Sequence, residues 1–291
     1  MIKLIITDMD GTVLRKDHQV SDYTTKVLIE AQKQGIKLCL ASGRSIKTLD
    51  GFSKMFKMKE YDGYLVCANG VKIANVKTGE IEIISQLDIE NIKEIMQFSL
   101  PYNVETMAVS DDEIYTYMSE ELLNERKAYR DLHQLGDDME LTGGPFDYIF
   151  DQKKNGYQVH YIKSVDEIFK GSNKMCISQT PDIIHKLYLA LNEKFNDQYS
   201  IVKTTPRWIE ITPRGIDKGN ALKKIMEIFD LKKEEVLVFG DGENDLAMLK
   251  TGIGVVMLNG MENIKEAIGN ISEFDNDHDG VARYIEKYVL K

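Results

Sequence analysis

The chain of 291 residues lacks the features that mark several large classes of protein. Its three cysteines, Cys39, Cys67 and Cys176, are scattered and include no CxxC pair, so neither a zinc site nor a disulfide framework is expected. No apolar run approaches the roughly 20 residues that span a bilayer, and the strand-like first residues lead us to expect no cleavable leader. These absences lead us to expect a cytoplasmic protein that has no membrane partner.

A surplus of basic residues is absent as well. Lysine and arginine number 37 against 47 aspartate and glutamate residues, which gives a formal net charge of −10. Because the phosphate backbone of a nucleic acid attracts basic surfaces, this balance argues against a nucleic-acid partner. The apolar content of 43% is ordinary for a globular protein, and the length accommodates two domains.

Strands and helices alternate at both ends of the chain. Strands are predicted at 2–7, 36–41, 64–67, 236–239 and 253–257, and helices at 21–34, 45–56 and 218–229. Continuous apolar strands joined by helices are typical of a parallel sheet with both faces covered. The sequence therefore predicts a doubly wound, Rossmann-like α/β core formed by residues 1–84 and 213–291.

The alternation of single strands and helices stops in residues 85–212, where helices are mixed with β-hairpins. Hairpin strands are predicted at 104–109 and 113–118, and further strands at 175–178, 200–204 and 208–212. This pattern predicts an α+β domain with an antiparallel sheet, inserted into the core. Residues 133–171 break every period and give no elements.

Two acidic clusters follow apolar strands of the predicted core. Asp8 and Asp10 come directly after the first strand, and Asp241 and Asp245 follow the strand at 236–239. Ligands of an open parallel sheet bind beyond the carboxyl ends of its strands, so both clusters should lie at one edge. Crowded carboxylates favour a cation, a proton or both, which predicts metal-assisted chemistry there.

Four segments of the chain, in order, carry a family resemblance. They are Asp8-Met9-Asp10-Gly11-Thr12, Ser42-Gly43-Arg44, Asp217-Lys218-Gly219 and Gly240-Asp241-Gly242-Glu243-Asn244-Asp245. With them the chain resembles the haloacid dehalogenase-like (HAD) phosphatases over its whole length. The insertion, Asn69-Gly70 and Asp279-Gly280-Val281-Ala282 are similar to features of the Cof-type subfamily. The resemblance implies a HAD-like core with an α+β cap, residues 85–212, that sets substrate specificity.

The resemblance also implies an activity. It is that of a Mg²⁺-dependent phosphatase acting on small phosphorylated metabolites, such as sugar phosphates, with Asp8 as the nucleophile that forms an aspartyl-phosphate. Asp10 is implied as the general acid and later the general base. Asp8, the backbone carbonyl of Asp10, and Asp241 are the implied ligands of Mg²⁺, which favours oxygen ligands.

Other motif residues are expected to bind the phosphoryl group or the substrate. Lys218 would supply positive charge, and Ser42 and the Gly43 amide would donate hydrogen bonds to phosphoryl oxygens. Met9 and Asn244 are also expected among the groups that bind phosphate.

Three further residues are expected in supporting positions. Asp245 is a further ligand or a partner of waters or of Lys218, and Thr12 orients the turn after the nucleophile. Arg44 contacts the substrate or pairs with a surface acid. Asn259 belongs to Leu258-Asn259-Gly260, where many relatives have Gly-Asn-Ala, so no role is transferred to it.

Two other functions remain open at this point. A phosphomutase would use the same aspartyl-phosphate but return the phosphoryl group to a sugar. A non-catalytic phosphate-sensing regulator would use Asp8 only as an acceptor. In each case we expect a monomer or a small homo-oligomer.

Overall fold

The computed structural model describes residues 1–136, 140–143 and 157–290. The chain divides into two compact units. The core unit consists of Met1–Ile84 and Ile216–Lys291, and the inserted unit consists of Ser85–Gly215. The predicted fold class, a parallel-sheet α/β core with an α+β insertion, is confirmed.

The described elements follow one another in this order. The first segment of the core unit contains β1 (Leu4–Asp8), α1 (Asp22–Lys33), β2 (Lys37–Ala41), α2 (Ile46–Met55), β3 (Tyr64–Cys67), β4 (Lys72–Asn75) and β5 (Ile81–Ile83). The inserted unit contains α3 (Ile89–Ser99), β6 (Glu105–Val109), β7 (Glu113–Tyr117), α4 (Glu120–Leu132), β8 (Gln158–Ile162), β9 (Lys174–Ser178), α5 (Pro181–Phe195), β10 (Tyr199–Thr205) and β11 (Trp208–Pro213). The second segment of the core unit contains α6 (Lys218–Ile228), β12 (Val236–Gly240), α7 (Leu246–Thr251), β13 (Ile253–Val256), α8 (Glu262–Ile268) and α9 (Gly280–Tyr288).

The sheet of the core unit has seven strands in the order β13-β12-β1-β2-β3-β4-β5. The first four pairings are parallel, and β3–β4 and β4–β5 are antiparallel. Strand β1 lies between β12 and β2, with Asp8 opposite Ala41 and Thr7 opposite Phe239. The loops that follow these three strands therefore begin side by side at one edge.

Apolar residues on both faces of β1 explain why this strand is central. Ile5 packs into the cluster on one face, and Leu4 and Ile6 pack into the cluster on the other. All three side chains are buried, as expected for a parallel strand that helices cover on both sides. Ser21 and Ser45 accept hydrogen bonds from the first turns of α1 and α2, which fixes where these helices begin.

The inserted unit contains a six-stranded sheet in the order β10-β11-β9-β6-β7-β8. The predicted antiparallel sheet is wrong in one pairing, because β7 and β8 run parallel. A parallel pair cannot be joined by a tight hairpin turn, and β7 and β8 are separated by a long stretch of chain that includes α4. Strand β8 lies in the segment 133–171 that the sequence left unassigned, and residues 137–139 and 144–156 of that segment lie outside the described residues.

Over the described parts of the chain, none of the helices combines the length and apolarity needed to cross a lipid bilayer.

Candidate active site

Three carboxylates from two distant parts of the chain converge at the carboxyl edge of the core sheet. Asp8 ends β1, and Asp241 and Asp245 belong to the loop and short 3-10 turn that follow β12. Each of the three offers an oxygen atom within 4.8 Å of the others. The parallel pairing of β1 with β12 brings them together.

Lys218 provides the positive charge inside this cluster. It is the first residue of α6, whose N-cap Asp217 accepts a hydrogen bond from the Asn220 N–H. The Lys218 side chain is fully buried, and its Nζ donates to Oδ1 of Asp8 and to Oδ1 of Asp245, both at 2.6 Å. Burial opposes its charged form, yet the two carboxylates raise the pKa of Lys218 above its ordinary value. It is therefore an ammonium ion.

Burial and the neighbouring negative charges raise the pKa of Asp8 and of Asp241. Burial, together with the charges of Asp245 and Asp241, raises the pKa of Asp8 to about 7, although Lys218 opposes the shift. Burial raises the pKa of Asp241 to about 6 against the hydrogen bond that Thr12 Oγ1 donates to it at 2.9 Å. One ammonium ion among three carboxylates leaves a deficit of positive charge that a divalent cation would offset.

The geometry assigns different positions to the three acids. Asp245 accepts hydrogen bonds from Lys218 through Oδ1 and from the N–H groups of Asp241 and Gly242 through Oδ2, at 3.0 and 3.1 Å. Asp8 and Asp241 are thus the carboxylates left to hold a cation. Their hard oxygen atoms suit Mg²⁺, so the residues present fit the metal that the sequence predicted.

Gly11 brings the loop after β1 against Asp241. Its φ of +77° is a left-handed conformation that glycine adopts without strain. A Cβ atom at this position would overlap the Asp241 carboxylate. A side chain at Gly11 would therefore displace the Asp241 carboxylate.

Asp10 and Arg44 form a bidentate ion pair. Arg44 donates from Nε and Nη2 to the two carboxylate oxygens of Asp10 at 2.9 and 2.6 Å. Burial alone would raise the pKa of Asp10, but the hydrogen bonds and charge of Arg44 outweigh it and lower the pKa. Of the two contacts predicted for Arg44, the structure contains the pairing with an acid.

The loop after β2, which contains Ser42 and Gly43, contacts an unusual turn after β3. Ala68 and Asn69 both have a positive φ, 51° and 56°, which is uncommon for residues with side chains. Asn69 donates its N–H to the Ser42 carbonyl at 3.0 Å, and its side chain lies against Gly43. Its Oδ1 is buried and has no hydrogen-bond partner among the described residues. This turn therefore holds in place the loop in which Ser42 and Gly43 are expected to donate hydrogen bonds to phosphoryl oxygens.

Two predicted phosphate-binding residues differ in how they face the site. The Met9 side chain is fully buried in the hydrophobic core, so only its backbone can contribute. Asn244 is exposed in the 3-10 turn Glu243–Asp245.

Asn259 contacts the site although no role was transferred to it. Its Nδ2 donates to the Gly11 carbonyl at 2.8 Å. The signal available in the sequence was its position just after the strand at 253–257, at the same sheet edge as the acidic clusters.

Comparisons with known proteins agree with the predicted resemblance. The family model described as haloacid dehalogenase-like hydrolase matches residues 5–285. A Streptococcus pyogenes protein with a provisional phosphatase name is 28% identical and covers 99% of each chain. The 5-amino-6-(5-phospho-D-ribitylamino)uracil phosphatase YitU of Bacillus subtilis is 26% identical over 98% of this chain and 97% of its own. A solved haloacid dehalogenase-like hydrolase from Bacteroides thetaiotaomicron superposes with a TM-score of 0.79, at 27% identity and 99% coverage of both chains.

Proposed function

The chain belongs to the haloacid dehalogenase-like hydrolase family, and from that premise we propose that it is a Mg²⁺-dependent phosphatase of small phosphorylated metabolites. Whole-length relatives that carry phosphatase names support the reaction class. The observation that carries the proposal is the position of Asp8, which contacts the Lys218 ammonium at 2.6 Å and lies within 4.8 Å of Asp241.

Charge neutralisation is the first requirement of this reaction, because an anionic nucleophile must approach an anionic phosphate ester. Lys218 supplies a fixed positive charge beside Asp8. Asp8 and Asp241 would hold Mg²⁺, which when bound neutralises phosphoryl oxygens. Ser42 and Gly43 would orient the phosphoryl group from the adjacent loop.

The proposed reaction has two steps. An Asp8 carboxylate oxygen attacks phosphorus, the ester P–O bond breaks, and Asp10 gives a proton to the departing alcohol oxygen. Water then attacks the aspartyl-phosphate, its proton passes to Asp10, and inorganic phosphate leaves while Asp8 is regenerated.

Arg44 must leave Asp10 before this cycle can run. An Asp10 paired with Arg44 at 2.6 Å is ionised and has no proton to donate. An anionic substrate offers the guanidinium of Arg44 another bidentate partner, which would free Asp10 for proton transfer. We further propose that the inserted unit selects the substrate, since the core residues named above address only the phosphoryl group.

The test is release of inorganic phosphate from p-nitrophenyl phosphate, with Mg²⁺ and with a chelator. Asp8→Asn should lower turnover by roughly 10⁴- to 10⁶-fold, as expected when a covalent nucleophile is removed. Asp50→Asn is the matched control, because Asp50 is an exposed helix residue paired with Lys54. Turnover of Asp8→Asn near the wild-type rate would exclude the nucleophile, and isomerisation of a sugar phosphate without phosphate release would indicate a phosphomutase.

A further inference from the structure

The loop after β13 contacts both acid-bearing loops. Asn259 Nδ2 donates to the Gly11 carbonyl at 2.8 Å, and the Met261 N–H donates to the Asp241 carbonyl at 2.9 Å. The two donors lie two residues apart in one short segment. This segment therefore joins the loop that follows Asp8 to the loop that carries Asp241.

A third contact fixes the orientation of the Asn259 amide. Its Oδ1 accepts a hydrogen bond from the Asn276 N–H at 3.0 Å, while its Nδ2 donates to Gly11. Asn276 is itself buried and donates from Nδ2 to the Leu14 carbonyl at 2.7 Å. The side chain at position 259 must therefore donate one hydrogen bond, to Gly11, and accept another, from Asn276. An amide group can do both.

The position of the Gly11 backbone affects the Asp241 carboxylate. A Cβ atom on Gly11 would overlap the Asp241 carboxylate, so the Gly11 backbone lies directly against that side chain. A shift of the Gly11 carbonyl would consequently alter the separation between the Asp8–Asp10 loop and Asp241.

We propose that Asn259 is a positioning residue that holds this separation at the value at which Asp8 and Asp241 bind one divalent cation. The inference rests on the proposed function, because it assumes that these two acids are the metal ligands. Groups that hold metal ligands without touching the metal typically change metal affinity by about 10–100-fold when they are mutated.

The experiment measures Mg²⁺ binding by isothermal titration calorimetry without substrate, and the Mg²⁺ dependence of p-nitrophenyl phosphate hydrolysis. Asn259→Ala and the similarly sized Asn259→Leu both remove the donor to Gly11. Each should raise the Mg²⁺ dissociation constant about 10-fold. The activity lost at low Mg²⁺ should return at saturating Mg²⁺, with KM for the aryl phosphate unchanged.

Asn270→Ala is the matched control. Asn270 Nδ2 also donates to a backbone carbonyl, that of Gly254, at 2.9 Å, but it contacts neither acid-bearing loop through that bond. The control should keep the wild-type Mg²⁺ dissociation constant even if its melting temperature falls. The inference is overturned if the Asn259 variants bind Mg²⁺ as wild type does, or if Asn270→Ala weakens binding equally. A wild-type protein that binds no Mg²⁺ would overturn the proposed function as well.

Discussion

At the scale of single residues, Lys218 is a fully buried charge that pairs with two carboxylates. Its ammonium group is the cation in direct contact with both Asp8 and Asp245 in the described site. Removing one partner of a buried ion pair leaves the other charge without compensation, which is costly in a medium of low dielectric constant.

Lys218→Met should therefore lower the free energy of unfolding by about 3–5 kcal/mol at neutral pH, measured by urea denaturation. Lys224→Met is the control, because Lys224 pairs with Glu82 on the surface of the same unit and both side chains are about half exposed. Exposed pairs contribute about 0–1 kcal/mol. Equal losses in the two variants would contradict the electrostatic interpretation.

Gly11→Ala tests the close approach between the two acid-bearing loops. We expect loss of Mg²⁺-dependent phosphatase activity, because the new Cβ would overlap the Asp241 carboxylate. Gly79→Ala is closely matched, since its φ of +76° equals that of Gly11 within a degree while its Cβ would have no described atom within 4 Å.

The Gly79 variant carries the same backbone strain, about 1 kcal/mol, without the overlap. It should lose stability and keep its activity, measured by thermal denaturation and phosphate release. If Gly79→Ala inactivated the protein as Gly11→Ala does, strain alone would account for the effect.

Residue-level predictability from the sequence depended on distance along the chain. The acidic motifs stood out because each is a short contiguous run after an apolar strand. The pairing of Arg44 with Asp10 and of Asn259 with Gly11 joins residues 34 and 248 positions apart, which local patterns do not specify. The catalytic roles of Asp8, Asp10 and Lys218 stay predictions until they are measured.

At the scale of elements, hydrogen bonds join the start of α9 to the start of α1. Asp279, the N-cap of α9, has a left-handed φ of 61°. Its carboxylate accepts hydrogen bonds from Ser21, the N-cap of α1, and from Thr24 and Arg15. One side chain thus connects two helix ends and the loop that follows Asp8.

This connection predicts a pH dependence of stability. Burial raises the pKa of Asp279, but the hydrogen bonds from Ser21, Arg15 and Thr24 outweigh it and hold the pKa below its ordinary value. A carboxyl with a lowered folded-state pKa stabilises the fold above its unfolded pKa of about 3.9, and the contribution is lost as the pH falls through the folded-state value.

Asp279→Asn should accordingly be less stable than wild type at neutral pH, with the difference shrinking below about pH 4. Asparagine tolerates the left-handed backbone, so the substitution isolates the charge. Asp230→Asn, at an exposed position with a φ of 48°, is the control. A pH-independent difference for Asp279→Asn, measured by urea denaturation across the pH range, would argue against this origin.

The sequence predicted some helices and strands better than others. The sequence predicted helices at 21–34 and 45–56, and the structure contains α1 and α2 there, each beginning after a capping serine, Ser21 or Ser45. Strand β8 was missed because its pairing with β7 is long-range and its own residues, Gln158–Ile162, are partly exposed and carry no clear alternation. Register and crossover direction depend on tertiary pairing, which a single segment does not encode.

At the scale of the whole molecule, each unit has its own hydrophobic core. Among the described residues, the clusters around Ile5 and Leu4 consist of core-unit residues, and those around Leu187 and Met107 consist of inserted-unit residues. The single tryptophan, Trp208, packs against the last of these clusters. Its fluorescence therefore reports on the inserted unit.

We predict that the two units unfold separately in urea. Leu191→Ala, in the core of the inserted unit, should cost about 2–5 kcal/mol and lower the midpoint of the Trp208 transition. Leu222→Ala, an equally buried change in the core unit, should leave that midpoint in place and shift the far-UV circular dichroism transition. Equal shifts of the fluorescence midpoint would mean that the molecule unfolds as one cooperative unit.

The central position of β1 also has a consequence for synthesis on the ribosome. Asp8 precedes Lys218 by 210 positions, and β12, the neighbour of β1 in the sheet, ends at Gly240. The inserted unit can emerge and fold while one side of β1 still lacks its partner strand. During synthesis, Asp8 therefore lacks both Lys218 and the neighbouring strand β12 until the ribosome has translated past Gly240.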